Sequence, residues 1–320
     1  MRVMRTGSVR RAVTRLLIIG AGAVLVLGAT SYAIFRIQTP ISLDTALERF
    51  HAGNDGVISE RHSVDSRNVS KRRTTPTPGQ SSRRSTGQGL AEGIRIGGAQ
   101  GSQGSGISAE RSLPVRFDVI PSEGVYTFDG SGEESFNGIR REFPPTSYRT
   151  ITHQDPASWE EHHYFSEQRE SWTRITVSTL GRVVHNQRNK IVIGPYPRDT
   201  DVPFRPPVRS AKFPPRSGQT WSGSFEGRTE PDGEDYMGTY EALSLGEEKW
   251  TVGSMGVRVV GFRLDFVFVG ELNAEVTVEY WFAPGHGMTV HEDYSIDAKV
   301  GPLNYHGEWD VKLRSLVPST

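Results

Sequence analysis

"VRVVGFRLDFVFVGELNAEVTVEYWFAPGHGMTVHEDYSIDA", residues 257–298, decides the fold. Val260, Phe262, Leu264, Phe266 and Phe268 are apolar at every second position, with Arg263 and Asp265 between them. A period of two is the mark of a half-buried strand. The parity carries on through Ala274, Val276, Val278, Tyr280 and Phe282, which alternate with Glu275, Thr277 and Glu279. Pro284, Gly285 and Gly287 then turn the chain. Met288, Val290, Tyr294 and Ile296 resume the even face, and beyond "KVGPLN" the parity switches to Tyr305, Trp309, Val311 and Leu313. Four strands joined by short turns predict an antiparallel meander.

The same stretch holds His286, His291, Glu292 and Asp293. Metal ligation needs three or four side chains aimed at one point. Parity scatters these: His291 and Asp293 fall on the polar face with Thr289, His286 lies in the turn, and Glu292 points to the apolar side. If Phe282 faces Met288, Val278 meets Glu292, and the next turn sets Glu292 opposite Trp309. A carboxylate on an apolar face costs several kcal/mol unless it is hydrogen-bonded or protonated. The plain expectation is an acceptor for the Trp309 indole N–H, and the sharper one is a polar anchor at the end of an apolar cavity. His162 and His163 fall on opposite faces of a strand, and no GxSxG nucleophile elbow is present.

Upstream, "GVYTFDG", "TSYRTITHQ", "SWEEHHYFSEQ", "SWTRITVSTL", "RVVHNQRNKIVI", "QTWSGSFEG", "YMGTYEAL" and "KWTVGSM" each read as a strand. "PYPRDTDVPFRPPVRSAKFPPRSG", with seven prolines, reads as an extended loop or strap over the sheet. The fold expected is all-β: one large curved antiparallel sheet of about 10–12 strands, a half-barrel or incomplete barrel, because flat sheets of such width twist.

Gly and Pro fill 54 of 320 positions, and the chain has no cysteine, which removes disulfides, thiol nucleophiles and zinc–thiolate sites. Lys plus Arg equals Asp plus Glu overall, yet residues 114–320 carry 21 basic against 30 acidic residues. Such a field repels phosphate backbones and argues against nucleic acid as a partner. Five arginines between positions 2 and 15 precede the uncharged run 16–35. Twenty helical residues match the hydrocarbon core, and the positive-inside rule keeps 1–15 cytoplasmic and sends the rest out. A cleaved signal peptide, with Ser31 and Ala33 before the cut, is the competing reading. Residues 36–113 read as a basic Gly/Ser/Arg-rich linker, with a short helix at 41–50 that sets Leu43, Leu47 and Phe50 on one side. Residues 114–320 are the extracytoplasmic β domain, and the localisation expected is the cell membrane, single-pass.

"PSEGVYTFDGSGEE" (121–134), "YWFAPGHGMTVHE" (280–292) and "VKLRSLVP" (311–318) resemble uncharacterised actinobacterial proteins with one N-terminal membrane helix and an extracytoplasmic β domain. "WFAPGHGMTVHE" is also similar to hairpins of the LolA/LolB-like half-barrel lipid carriers, which hold acyl chains on a concave apolar face. This chain departs from those carriers in having no lipobox cysteine. The reading that follows is a tethered binding module. Phe262, Phe266, Tyr280, Glu292, Tyr294 and Trp309 are its candidate ligand-binding residues, and a lipid or other apolar envelope component is the expected ligand. The alternative is an envelope scaffold whose acidic face meets a protein partner. No cofactor, no metal and no enzymatic activity are expected.

Overall fold

The computed structural model describes residues 38–53, 116–117, 119–193, 196–231, 233–270, 272–300 and 303–320. The 16–35 segment and residues 54–113 of the expected linker lie outside them. Among the described residues no helix is long and apolar enough to cross a membrane.

The strands are β1 (Gly124–Phe136), β2 (Ile139–Glu142), β3 (Thr146–Asp155), β4 (Ser158–Ser166), β5 (Arg169–Ser178), β6 (Gly181–Ile193), β7 (Tyr196–Lys212), β8 (Thr220–Arg228), β9 (Asp235–Val252), β10 (Met255–Gly270), β11 (Leu272–Ala283), β12 (Met288–Val300) and β13 (Leu303–Leu313). Neighbours in sequence pair antiparallel from β3 to β13, as the alternation predicts. The count is thirteen instead of ten to twelve. "YMGTYEAL" and the "KWTV" of "KWTVGSM" belong to one strand, β9, which stays paired to β10 through a bulge at Leu245. β2 and β7 are additional.

The shape also differs from the half-open sheet expected. β1 pairs with β3 along Gly124–Asp129 and with β13 from Phe128↔Leu313 to Phe136↔Tyr305, so the sheet closes into a ring. The outer part of β1 also carries β2. Closure removes the open edges that a wide sheet would expose.

The proline-rich stretch is a strand and not a strap. β7 pairs with β6 on both sides of an interruption that contains Pro206 and Pro207, and it meets β8 at the single pair Arg205↔Glu226. The missing N–H groups therefore fall where the ladder is already open. Side chains bridge that seam instead. Trp221 Nε1 donates to the Arg209 carbonyl at 2.8 Å, and the Tyr236 hydroxyl donates to the Pro203 carbonyl. Tyr236 reaches across β8 because its cross-strand neighbour is Gly227, where a Cβ would collide with the hydroxyl.

Residues 43–53 form the helix α1, which begins with Ser42 Oγ accepting from the Thr45 N–H at 3.1 Å. It does not hang free in a linker. Ile41, Ala46 and Phe50 are buried against Val125 and Tyr164 on the outer face of the ring, with Leu43 and Leu47 packed beside them.

The interior has two unlike ends. At one end Phe213, Phe262, Phe282, Met288, Leu313 and Leu316 are buried together. Phe117 stacks on Phe213 at 4.9 Å, and the backbone of residues 119–121 lies against Gly287 in the β11–β12 turn, so the incoming chain plugs that end. Toward the other end the inner side chains still touch along the wall but leave a cavity between them.

Candidate functional site

The floor of the cavity is a belt of charged side chains. Arg149 of β3 and Glu161 of β4 have side chains only 3% and 7% exposed, and Arg149 Nη1 donates to Glu161 Oε2 at 3.1 Å. Arg182 of β6 donates to the other Glu161 oxygen at 3.1 Å and to Thr289 Oγ1 at 2.9 Å. Trp159 Nε1 is the third donor to Glu161, at 3.0 Å. Glu292 receives Arg149 Nη2 at 3.0 Å on one oxygen and the Trp309 indole at 3.1 Å on the other. Two arginines and two glutamates thus neutralise one another, the condition under which buried charge is tolerated. His163, buried beside Arg149, is held well below the usual imidazole range, first by burial and then by that guanidinium. Arg149 Nη2 lies 3.1 Å from its Nδ1, so the neutral ring accepts there and donates from Nε2 to Ser147 Oγ at 2.9 Å.

Above the belt lie two adjoining chambers. The inner one, about 130 Å³, has Leu264, Phe266, Val276, Val278, Phe204 and Val208 as apolar wall, with Glu161, Arg182, Thr289 and Glu292 below. The outer one, about 170 Å³, shares Gln187, Phe268, Val276 and Tyr294 with the first. It continues past Ile296, Ala298 and Tyr305 to Thr200 and the exposed Arg198. From Glu292 to Ala298 along β12 the two chambers span six residues, roughly 20 Å.

Of the residues singled out in sequence, Phe266, Tyr280, Glu292 and Tyr294 line the inner chamber. Phe262 does not. It is fully buried in the packed end against Phe213, Trp221 and Tyr280. Trp309 stands behind the wall, stacked on Tyr294 at 3.8 Å between ring centres with planes 7° apart, and holds Glu292 through its indole. Burial pushes the Tyr294 hydroxyl up to about 12 and raises that of Tyr280, whose O–H donates to the Ser210 carbonyl at 2.9 Å.

The Glu292–Trp309 hydrogen bond forms as expected from sequence, but in another register. Tyr280, and not Val278, faces Glu292, and Glu292 faces Val311 while Tyr294 faces Trp309. The first shift is two residues: the β11–β12 turn sets Ala283, and not Phe282, opposite Met288, and a bulge at Val290 adds the other, while the tight β12–β13 turn sets the second shift. The same bulge turns Thr289 inward to Arg182, away from the polar face assigned to it. The two imidazoles of the hairpin stay apart: His286 is exposed in the turn, while His291 Nε2 lies 3.1 Å from Asp310. Among the described residues no three His, Cys, Asp or Glu side chains are grouped to hold a metal ion.

Sequence reasoning missed the other three members of the belt. The signal was present in β4, where Trp159, Glu161, His163 and Phe165 alternate on one parity: a carboxylate and an imidazole in a row of buried aromatics. On the opposite face His162 Nε2 donates to Glu170 at 2.9 Å. Burial lowers His162 to about 4 against a smaller opposing pull from Glu170. Burial alone would raise Glu170, but hydrogen bonds from His162 and Lys190 outweigh it and hold the carboxyl at about 2. Arg49 of α1 closes this outer cluster with a 3.1 Å ion pair to Glu170.

No family model matches the chain, and no curated protein does. Among solved structures the chain is similar to the crystal structure of the hypothetical lipoprotein YmcC from Escherichia coli, at 8% identity and a TM-score of 0.29, over 62% of this chain and 90% of that one.

Proposed function

We propose that the ring is a binding module for an apolar or amphipathic molecule, a lipid or related component of the cell envelope, presented outside the membrane by a tether at residues 16–35. The observation that carries this reading is the pair of adjoining chambers inside a closed sheet, apolar on the walls and closed below by charges that are bonded to one another. Space of this kind, with a few placed polar groups, is what small-molecule sites offer. An ordinary core would be filled, since interiors pack to crystal density. The reading assigns binding and not catalysis, because the belt's polar groups are committed to one another.

The test is uptake of cis-parinaric acid, a fluorescent fatty acid, by the purified full chain, with Val278→Trp as the variant. Val278 borders the inner chamber and faces Leu264 and Tyr294 across the sheet. Wild type is expected to bind the probe. The tryptophan is expected to reduce binding at least tenfold while the near-ultraviolet circular dichroism persists. A wild-type chain that takes up no probe, or a folded variant that binds as well as wild type, overturns the reading.

A further inference from the structure

The outer chamber carries a charge that the belt does not. Arg169, the first residue of β5, is 3% exposed and lines the chamber. Its Nη1 donates to the Glu170 carbonyl at 3.1 Å and to Asn189 Oδ1 at 3.0 Å, both uncharged acceptors. Its Nε is buried without a hydrogen-bond partner, as are those of Arg149 and Arg182; what differs is that none of its hydrogen bonds goes to a carboxylate. The nearest acid, Glu134, stands 3.8 Å from that Nε, too far for a hydrogen bond. Glu134 is also already engaged: one oxygen accepts from Arg141 Nε at 2.7 Å and Gln38 Nε2 at 3.2 Å, and the other from the Tyr305 hydroxyl at 3.0 Å. The guanidinium lies near the faces of Phe165 and Trp309, 5.9 and 5.8 Å from their ring centres.

Arg149 and Arg182 each donate to a glutamate at hydrogen-bond distance, whereas Arg169 has no such partner. A buried cation without a bonded counter-ion costs several kcal/mol. Its one ion pair is the 3.8 Å approach of Glu134, a carboxylate that Arg141 also holds. The chamber lining includes a second cation, the exposed Arg198, and one acid, Glu234. This local excess of positive charge stands out in a region that carries more acid than base.

Resting on the binding role proposed above, we infer that the ligand is a singly charged anionic amphiphile. Its carboxylate or phosphodiester head is bound by Arg169, with Asn189 beside it, in the outer chamber. Its tail runs past Tyr294 and Val276 to Phe266 and Val278. In that orientation the charged head stays near the exposed end and pairs with the Arg169 guanidinium. The apolar tail fills the inner chamber, whose floor charges are already paired with one another. A guanidinium is suited to both head groups because its planar fork matches paired oxygens.

The experiment compares cis-parinaric acid with its methyl ester, which has the same tail and no charge, on the full chain at pH 8. Wild type is expected to bind the acid at least tenfold more tightly than the ester. Arg169→Gln should bring the two affinities within threefold of each other, chiefly by weakening the acid. Asn189→Asp gives a second route that keeps the arginine: a carboxylate 3.0 Å from Nη1 supplies the counter-ion internally and should erase the preference as well. Equal wild-type affinities for acid and ester, or a preference that survives in folded Asn189→Asp, overturn the assignment. A chain that binds neither molecule refutes the binding role itself, which is a different result.

Discussion

The two ends of the ring use one strand architecture for opposite purposes. At the plugged end the inward side chains are packed together, and Phe117 and residues 119–121 lie against what the strands leave open. At the other end, strands of the same length and alternation surround empty space. Between them Arg149, Glu161, Arg182 and Glu292 form a partition. Alternation alone therefore does not make a core: the same period of two lines a packed plug or a hollow, depending on whether something crosses the ring to fill it.

The largest effect expected from this contrast is a difference between two phenylalanines. Phe282, 1% exposed in the plug, should cost about 3–5 kcal/mol on replacement by alanine, the range for a large cavity made in a packed core. Phe266, half-buried on the chamber wall, should cost about 1 kcal/mol, since part of its transfer term was never gained. Urea unfolding of Phe282→Ala and Phe266→Ala measures both. Equal losses would mean that the hollow end is packed in solution.

The partition gives the next effect. Glu161→Gln keeps the shape but leaves Arg149 and Arg182 sharing an amide, and should cost about 3 kcal/mol, the lower part of the range for breaking a buried pair. The double variant Glu161→Gln with Arg182→Met should recover part of that loss. If the single variant is as stable as wild type, the belt is solvated and does not separate two regions.

The outer cluster carries a pH dependence. His162 titrates near 4 in the folded chain instead of 6.5, so between those values the unfolded chain takes up a proton that the folded one does not, and stability falls as pH drops from 6.5 to 4. Glu170, held at about 2 instead of 4.5, adds a second loss between pH 4.5 and 2. Denaturation midpoints for His162→Gln should decline less steeply from pH 6.5 to 4 than those of wild type. The buried His163, lowered in the same direction, leaves a residual slope. Identical profiles would remove His162 from the account.

The C-terminal strands were legible because each side chain's environment follows from its own parity, and Glu292 stood out as the one acid in an apolar row. Its indole partner was legible too, since Trp309 shares the inward side of the next strand. Register was harder. The bulges at Leu245 and Val290 are each a single residue, and they move the pairings beyond them without a break in the apolar pattern. The prolines of β7 misled for a related reason. Proline forbids a ladder bond, and only the fold shows that no ladder bond was needed there.

What the sequence determined by itself was local: alternation fixes which side of a strand leaves water, and turn residues fix where the chain reverses. The tertiary structure decided what depends on residues far apart in the chain. Closure pairs β1 with β13, from opposite ends of the folded region, and the belt assembles charges from β3, β4, β6 and β12. Whether the ring is filled or hollow rests on the same long-range contacts, because a void belongs to no single strand.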